Sequence, residues 1–310
     1  MDNENQKELS ALLNCNDLKS SKYMTNIMID GMFSIIRNCR LRRSKTEASA
    51  DAKTLMQMFF LKCLSFKRLL DGVGYEQRIG NEYYALPPII DHPTLFSLVR
   101  SLYEAFCTFE LLYILPNSEE KRLVLYNLFK MQGLNERQGY YHCLGYEKQK
   151  ETEKHDIELY GQEIRNTTLY KTLTAENKNS LENHIKNCNY RITIDSNNFI
   201  RKFYWENYGS LGIKKEVFED LYSYLSLNSH PSFLSVLQFE NAFEIIKPDN
   251  IYFACSATRY ATAIMSFYIA DFCKYFPETD EVTNGWDNTK KFYINFYNEC
   301  YRTHNDILEP

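Results

Sequence analysis

Two charged residues interrupt an otherwise apolar segment between residues 92 and 109. Arg100 and Glu104 are four residues apart, so a helix places both side chains on one face. The apolar residues around them are Leu95, Phe96, Leu98, Val99, Leu102, Tyr103, Phe106, Phe109, Leu111 and Leu112. A buried charge is costly unless it is paired, so both side chains need partners. An arginine beside a carboxylate can hold an anion, and the carboxylate can move a proton.

A second polar stripe lies in the segment LYSYLSLNSHP at residues 221–231. Tyr222, Ser226 and His230 follow one another at intervals of four, which places them along one side of a helix. Pro231 predicts that this helix ends at His230, because the residue before proline disfavours the α conformation. An imidazole at the C-terminus of a helix is favoured in its charged form.

We predict that these residues converge in the core, with Arg259 as a further candidate beside them. The predicted catalytic group is Arg100, Glu104, Tyr222, Ser226 and His230. One interpretation is a polar network that fixes the register of the helices. The other is an active site, with Glu104 or His230 as acid or base and Arg100 as anion stabiliser. The sequence leaves both interpretations open.

The composition indicates a globular protein with a large core. The chain has 310 residues, 44% of them hydrophobic and 15% aromatic, with a net charge of −4. That charge predicts no bulk attraction to nucleic acid or to anionic lipid. Nine scattered cysteines without a C-x-x-C pair favour free thiols in a reducing, cytoplasmic compartment. The polar N-terminus MDNENQKELS does not resemble a signal peptide, and no segment reads as a membrane span.

The pattern of apolar residues predicts an all-α protein. Only six valines and eleven glycines occur, and apolar residues recur at spacings of three and four. We expect a single all-helical domain over residues 1–310, built as a multi-helix bundle around a buried central helix at about 92–115. A helical insert is predicted at about 135–195. The segment 81–90, with its two prolines, is predicted to be a loop, and 196–207 and 214–228 are predicted helices.

The two polar segments also carry a family resemblance. The sequences RSLYEAF (100–106) and YSYLSLNSHPS (222–232) resemble a widespread bacterial helical family that pairs an R-x-L-x-E helix with a Y-x-x-x-S-x-x-x-H-P segment. The resemblance covers residues 45–270, and six residues match its motifs: Arg100, Glu104, Tyr222, Ser226, His230 and Pro231. It implies an all-α fold and no established activity.

Such proteins are distantly similar to HEPN domains, which include ribonucleases of toxin and antiviral defence systems. HEPN nucleases use an R-x4–6-H motif, and Arg137 to His142 (RQGYYH) matches it. This resemblance implies metal-independent RNA cleavage, in which an arginine and a histidine supply the cation and the acid or base. Arg100 and His230 could serve the same roles across helices. The structural alternative for Arg137 and His142 is a solvent-facing arginine beside a partly buried histidine.

The densest basic cluster runs from Arg37 to Lys45 and includes Arg40, Arg42 and Arg43. Cations at a helix C-terminus complement its dipole, and a phosphate-binding patch for RNA is the functional alternative. No phosphate-loop, dinucleotide or zinc-ligand motif occurs, so we expect neither a cofactor nor a metal. Three functions remain: a ribonuclease effector, a non-enzymatic interaction or regulatory module, and a small-ligand sensor. RNA, a partner protein or a second copy are the candidate partners.

Overall fold

A computed structural model describes residues 3–40, 42–140, 147–228, 232–242 and 248–303. Helices account for most of these residues, and the strands form two two-stranded antiparallel sheets. A mostly α-helical bundle is therefore confirmed, whereas the two hairpins depart from an all-α fold. Contacts group the described residues into two compact units, one within 1–107 and 208–310, the other within 108–207. The expectation of a single domain with an insert at about 135–195 stays a prediction.

The elements follow in chain order. The first are α1 (Asn3–Leu13), α2 (Leu18–Arg40), α3 (Glu47–Leu69), β1 (Val73–Ile79), β2 (Glu82–Ile89) and α4 (His92–Phe109), which continues as a π-helical turn, Glu110–Ile114. Next come α5 (Glu119–Gln138), α6 (Glu147–Asn166), α7 (Thr168–Thr172), α8 (Ala175–Lys186), β3 (Ile192–Ile194) and β4 (Ile200–Lys202). The last are α9 (Lys215–Phe218), α10 (Leu221–Leu227), α11 (Phe233–Ala242), α12 (Pro248–Tyr275), α13 (Asp280–Thr283) and α14 (Asn288–Tyr301).

The first unit is built around α2, which packs against α3, α12 and α14. Thr46 begins α3 with a capping box, since its hydroxyl accepts from the Ser49 amide and the Ser49 hydroxyl accepts from the Thr46 amide. Phe59 of α3 stacks on Tyr268 of α12 at 4.2 Å between ring centroids. Within the described ranges, no helix has the length and apolarity needed to cross a bilayer.

The helix predicted at about 92–115 is present and buried. Between Leu95 and Tyr113 every side chain is buried or partly buried, and most apolar ones have no solvent-accessible surface. Arg100 and Glu104 are partly buried within this stretch. A helix that is apolar on nearly every side must be covered by neighbours, and this one is.

The prediction of a loop at 81–90 is wrong. β2 pairs with β1 in register from Ile79 and Glu82 to Tyr75 and Leu86, around a turn at Gly80 that has a φ of +61°. The prolines of β2 are tolerated because both strands of a two-stranded sheet are edges, where a missing N–H costs little. Gly72 lies at the open end of this hairpin, next to Pro88. A Cβ added at Gly72 would lie 3.0 Å from Pro88, so a larger residue would fit only if Pro88 moved.

The predicted helices at 196–207 and 214–228 are also wrong in part. The Asp195 carboxylate accepts the amides of Asn197 and Phe199, and Asn198 has a φ of +63°, so this segment turns into β4. In the second segment Asp220 has a φ of +60°. A left-handed residue interrupts a right-handed helix, and α9 and α10 are therefore separate.

In the second unit α5 packs along α6, and α7 adjoins both. The Glu120 carboxylate accepts the amides of Thr168 and Leu169 at 2.9 Å each, which caps the N-terminus of α7. Lys121 is buried, and its ammonium donates to the Asp195 carbonyl at 2.6 Å. The Glu120 contacts hold α7 against α5, and the Lys121 contact holds the turn before β4 against α5.

Candidate functional site

The helix α10 lies along α4, and contacts to α4 and to Tyr208 hold it in place. The Ser97 hydroxyl donates to the Asn228 carbonyl at 3.0 Å, and the rings of Phe96 and Tyr224 meet edge to face at 5.2 Å. At the other end of α10, the Tyr222 amide donates to the Tyr208 hydroxyl at 3.1 Å. That bond satisfies one of the free amides in the first turn of the helix.

Arg100, Glu104 and Tyr222 form a closed triangle of hydrogen bonds, which we name the Arg100 cluster. Arg100 Nε donates to Glu104 Oε1 at 2.9 Å, and Arg100 Nη2 donates to the Tyr222 hydroxyl at 2.9 Å. The Tyr222 hydroxyl donates in turn to Glu104 Oε1 at 2.9 Å. The guanidinium also lies 4.9 Å from the centroid of the Tyr222 ring. Three of the five residues predicted to converge therefore meet.

Protonation in the cluster follows from these contacts. Burial and then the hydrogen bond to Glu104 raise the pKa of Tyr222 to about 12, so its hydroxyl keeps its proton. Burial alone would lower the pKa of Arg100, but the hydrogen bond and charge of Glu104 outweigh it and leave the pKa above its ordinary value. Arg100 is thus a permanent cation, and Tyr222 is a permanent donor.

The Arg100 cluster is open to solvent on one side. The side chains of Arg100 and Glu104 keep 25% and 35% of their surface exposed. A guanidinium has five N–H donors. Arg100 donates two of these N–H groups to described residues, Glu104 and Tyr222. The other three have no acceptor among the residues that the structure describes. The cluster can therefore accept an anion at Arg100 while Glu104 and Tyr222 hold the guanidinium in place.

The other two members of the predicted group, Ser226 and His230, are not part of the triangle that the structure describes. The Ser226 hydroxyl donates to the Tyr222 carbonyl at 2.6 Å, a bond within α10. His230 and Pro231 lie outside the described residues, so their part in the cluster stays a prediction. Arg259 donates from Nε to the Asn14 carbonyl at 3.0 Å, just beyond the last turn of α1.

The histidine of the R-x4–6-H match, His142, also lies outside the described residues. Arg137 is bound to α6, where its guanidinium pairs with the carboxylate of Glu153. Gln138 donates to the same carboxylate at 3.2 Å, and Glu153 is buried. Arg137 therefore fastens α5 to α6, which agrees with a structural role.

The basic cluster at the C-terminal end of α2 lies at the surface. Arg42 pairs with Glu281, and both side chains are substantially exposed. Arg43 is exposed, and the side chain of Arg40 lies outside the described part of the structure. Arg42 is thus partly neutralised, which weakens the case for a phosphate-binding patch here.

Sequence reasoning missed a second arginine–carboxylate pair. Arg302 Nη1 lies 2.8 and 2.7 Å from the two carboxylate oxygens of Asp271, and the side chains are 1% and 0% exposed. Arg302 Nη2 also donates to the Leu211 carbonyl at 3.3 Å. The one available signal was Asp271 itself, a lone acid in the apolar stretch of α12. Lys62 was missed as well, and its ammonium donates to the Ser101 hydroxyl beside Arg100.

The described residues contain no group of three or more histidine, cysteine or acidic side chains that could hold a metal ion. Cysteines in the described ranges carry free thiols, nearly all of them buried, as predicted. Burial raises the pKa of Cys15 to about 11, which leaves this thiol inert.

Comparison with protein-family models, with curated proteins and with solved structures finds no match to this chain. The class that the geometry defines is therefore a mostly α-helical protein with a half-open Arg–Glu–Tyr cluster between α4 and α10.

Proposed function

We propose that the Arg100 cluster binds a phosphodiester of RNA and supports its cleavage without a metal ion, in the manner of a HEPN-like ribonuclease. The observation that carries the proposal is an arginine that is held by Glu104 and Tyr222 yet has donors directed away from both. An effector of a bacterial defence or toxin system is the biological role that the sequence resemblance suggests.

The chemistry follows from the charges of the cluster. In metal-free RNA cleavage the 2′-oxygen attacks phosphorus, the bond from phosphorus to the 5′-oxygen breaks, and a 2′,3′-cyclic phosphate forms. Glu104 takes the proton of the 2′-hydroxyl, and Arg100 stabilises the negative charge that develops on the phosphorane. The departing 5′-oxygen needs a proton, for which His230 is the candidate from the sequence. Tyr222 is a positioning residue, because it donates to Glu104 and accepts from Arg100.

A matched control for these roles exists in the second unit. Arg165, Glu182 and Tyr170 also form an Arg–Glu–Tyr group, but there Nε and Nη2 of Arg165 both face the Glu182 carboxylate at 2.8 Å. Tyr170 donates to Glu182 as well. This group resembles the Arg100 cluster in composition and exposure, but its arginine directs two nitrogens at the carboxylate, whereas Arg100 directs one.

The test is cleavage of an end-labelled RNA in the presence of a chelator, with analysis of the product termini. We expect 2′,3′-cyclic phosphate ends from the parent protein. The variant Glu104→Gln should lose cleavage by about a hundredfold or more, and Glu182→Gln should keep it. Absence of cleavage by the folded parent protein, or equal loss in both variants, would refute the proposal.

A second candidate, a non-enzymatic interaction module, is favoured by the apolar surface of α11. Exposed side chains on α11 and at the start of α12 are Phe233, Leu234, Val236, Leu237, Phe239, Ile251 and Tyr252. Together they expose the equivalent of about four complete side chains. At roughly 150–250 Å² for each aromatic side chain and less for each aliphatic one, this is a large part of one partner's share, about 800 Å², of a standard protein interface.

The occupant that fits this surface is a second copy of the chain. Glu240 is the one formal charge within α11, so two copies would bring little like charge together. Sedimentation velocity tests it: Phe233→Asp together with Val236→Asp should convert a dimer into a monomer, and Phe292→Asp on α14 should not. A parent protein that stays monomeric at its highest soluble concentration would rule this candidate out.

A further inference from the structure

The second unit presents a surface that the Arg100 cluster does not involve. The hairpin of β3 and β4 and the residues beside it expose alternating cations and rings, which we name the basic–aromatic hairpin. Its members are Arg191, Phe199, Arg201, Lys202, Tyr204 and Trp205. Phe199 and Tyr204 are 49% and 53% exposed, and the Arg201 side chain is 74% exposed. Exposed aromatic rings among cations are typical of surfaces that bind single-stranded nucleic acid.

The rings of the basic–aromatic hairpin are already placed against cations. The guanidinium of Arg191 lies 5.6 Å from the centroid of the Trp205 ring, and the ammonium of Lys202 lies 4.9 Å from that of Tyr204. Each cation covers one face of its ring. Tyr204 keeps about half of its surface in solvent, so a planar base can stack on the uncovered part.

The local charge differs in sign from that of the whole chain. Residues 183–206 contain four lysines and arginines against two acidic residues, in a protein of net charge −4. One of these acids, Asp195, accepts two backbone amides in the turn, and its other oxygen lies 3.7 Å from Arg201. Neither Arg191 nor Lys202 forms an ion pair with another described residue. Their charge is therefore available to phosphate groups.

Buried side chains and hydrogen bonds hold the hairpin beneath these side chains in place. Ile192 and Ile194 of β3 are buried, and the Phe203 amide donates to the Arg191 carbonyl at 2.9 Å. Lys121 fixes the turn through the Asp195 carbonyl. A platform that is ordered before binding loses little conformational entropy when the ligand arrives.

We propose that the basic–aromatic hairpin binds single-stranded nucleic acid, with bases stacked on Tyr204 and Phe199 and phosphates paired with Arg191, Arg201 and Lys202. A duplex keeps its bases stacked on one another and offers none to these rings. An acidic protein segment could pair with the cations, but it has no planar bases to stack on the rings. The binding does not depend on the cleavage proposed for the Arg100 cluster.

Fluorescence anisotropy with a labelled single-stranded DNA of about 16 nucleotides tests the proposal. DNA lacks the 2′-hydroxyl that cleavage requires, so binding is measured whether or not the protein is a ribonuclease. Replacing Arg191, Arg201 and Lys202 together with glutamine should weaken binding at least about tenfold and reduce the salt dependence of log K by about 2. The matched control replaces Lys148, Lys154 and Lys171, which are exposed lysines of the same unit.

The rings have their own variant. Tyr204→Ala should weaken binding about tenfold because base stacking is lost, and Tyr140→Ala, at a ring that is 59% exposed in the same unit, should have no effect. Circular dichroism checks that every variant is folded. Equal affinity for duplex DNA or polyglutamate, or equal effects of test and control substitutions, would overturn the proposal.

Discussion

Two arginine–carboxylate pairs of the first unit, Arg302–Asp271 and Arg100–Glu104, combine the same charges in opposite surroundings. Arg302 and Asp271 are 1% and 0% exposed, and the arginine faces both carboxylate oxygens. Arg100 and Glu104 are 25% and 35% exposed, and the arginine contacts a single oxygen. The first pair has no room for a ligand, whereas the second can exchange water for an anion. The difference separates a contact that holds helices together from one that can do chemistry.

The sealed pair also shows why a buried ion pair is retained. Arg302 lies beyond α14, and its contacts to Asp271 and to the Leu211 carbonyl connect that end of the chain to α12 and to the turn before α9. Once desolvated, each charge depends on the other, so removing one leaves the partner buried without compensation. The open pair carries no such penalty, because water can reach both groups.

The largest effect is expected at the sealed pair. Arg302→Met should lower the free energy of unfolding by about 3–5 kcal/mol, since it leaves Asp271 charged and enclosed. Urea denaturation followed by circular dichroism measures the change. The double variant Arg302→Met with Asp271→Leu should recover most of the loss, and a single variant that loses less than about 1 kcal/mol would contradict the comparison.

The next effect concerns His92, a titratable group for which burial among aromatic rings outweighs the opposing charge of Asp91. His92 is 1% exposed and stacks on Phe253, and burial lowers its pKa from the ordinary 6.5. Below about that pH the unfolded chain binds a proton that the folded protein does not, so stability falls as the pH decreases. Burial also lowers the pKa of His184, so this histidine contributes to the same loss of stability at low pH.

The slope of unfolding free energy between pH 7.5 and 5.5 measures this effect, at most about 1.4 kcal/mol per pH unit for each histidine. His92→Phe should make the slope shallower, because a ring that cannot titrate then lies against Phe253. His155→Phe, at an exposed histidine of α6, is the control. An unchanged slope in His92→Phe would show that another group causes the acid sensitivity.

The smallest effect on stability is expected at the Tyr222 hydroxyl, which completes the triangle of hydrogen bonds in the Arg100 cluster. Tyr222→Phe removes one donor to Glu104 and one acceptor for Arg100, and should lower the free energy of unfolding by about 1 kcal/mol or less, because water replaces both bonds. Tyr170→Phe, which removes the hydroxyl bound to Glu182, should behave similarly. Thermal unfolding of the two variants side by side measures this. A loss of about 3 kcal/mol at Tyr222 alone would mean that the cluster is sealed in solution.

Local spacing was enough to predict part of the site. Arg100 and Glu104 were recognised because two charges at a helical interval stood in an apolar helix, and Tyr222 because it begins a polar stripe. Their meeting depends on α10 packing against α4, and the match of polar residues on both helices indicated it. The burial of the helix after Pro93 followed from its composition alone.

Other features were beyond local spacing. Arg302 pairs with Asp271 across 31 positions, and nothing near Arg302 in the sequence distinguishes it from a surface arginine. Lys62 meets Ser101 through the packing of α3 on α4. The hairpin of β1 and β2 was missed because two prolines suggested a loop, although an edge strand tolerates them. Asp220 divides a predicted helix through a left-handed backbone that aspartate adopts only occasionally.

The central claim is that the open cluster acts on RNA while the sealed pair maintains the fold. Its most direct test is the single-turnover rate of RNA cleavage by Arg100→Gln, measured beside its unfolding free energy and with Arg165→Gln as the matched control. We predict that Arg100→Gln loses about a hundredfold or more in rate and less than about 1 kcal/mol in stability, and that Arg165→Gln changes neither by much. An Arg100→Gln protein that cleaves RNA at the parent rate, or one that unfolds as readily as Arg302→Met, would contradict the claim.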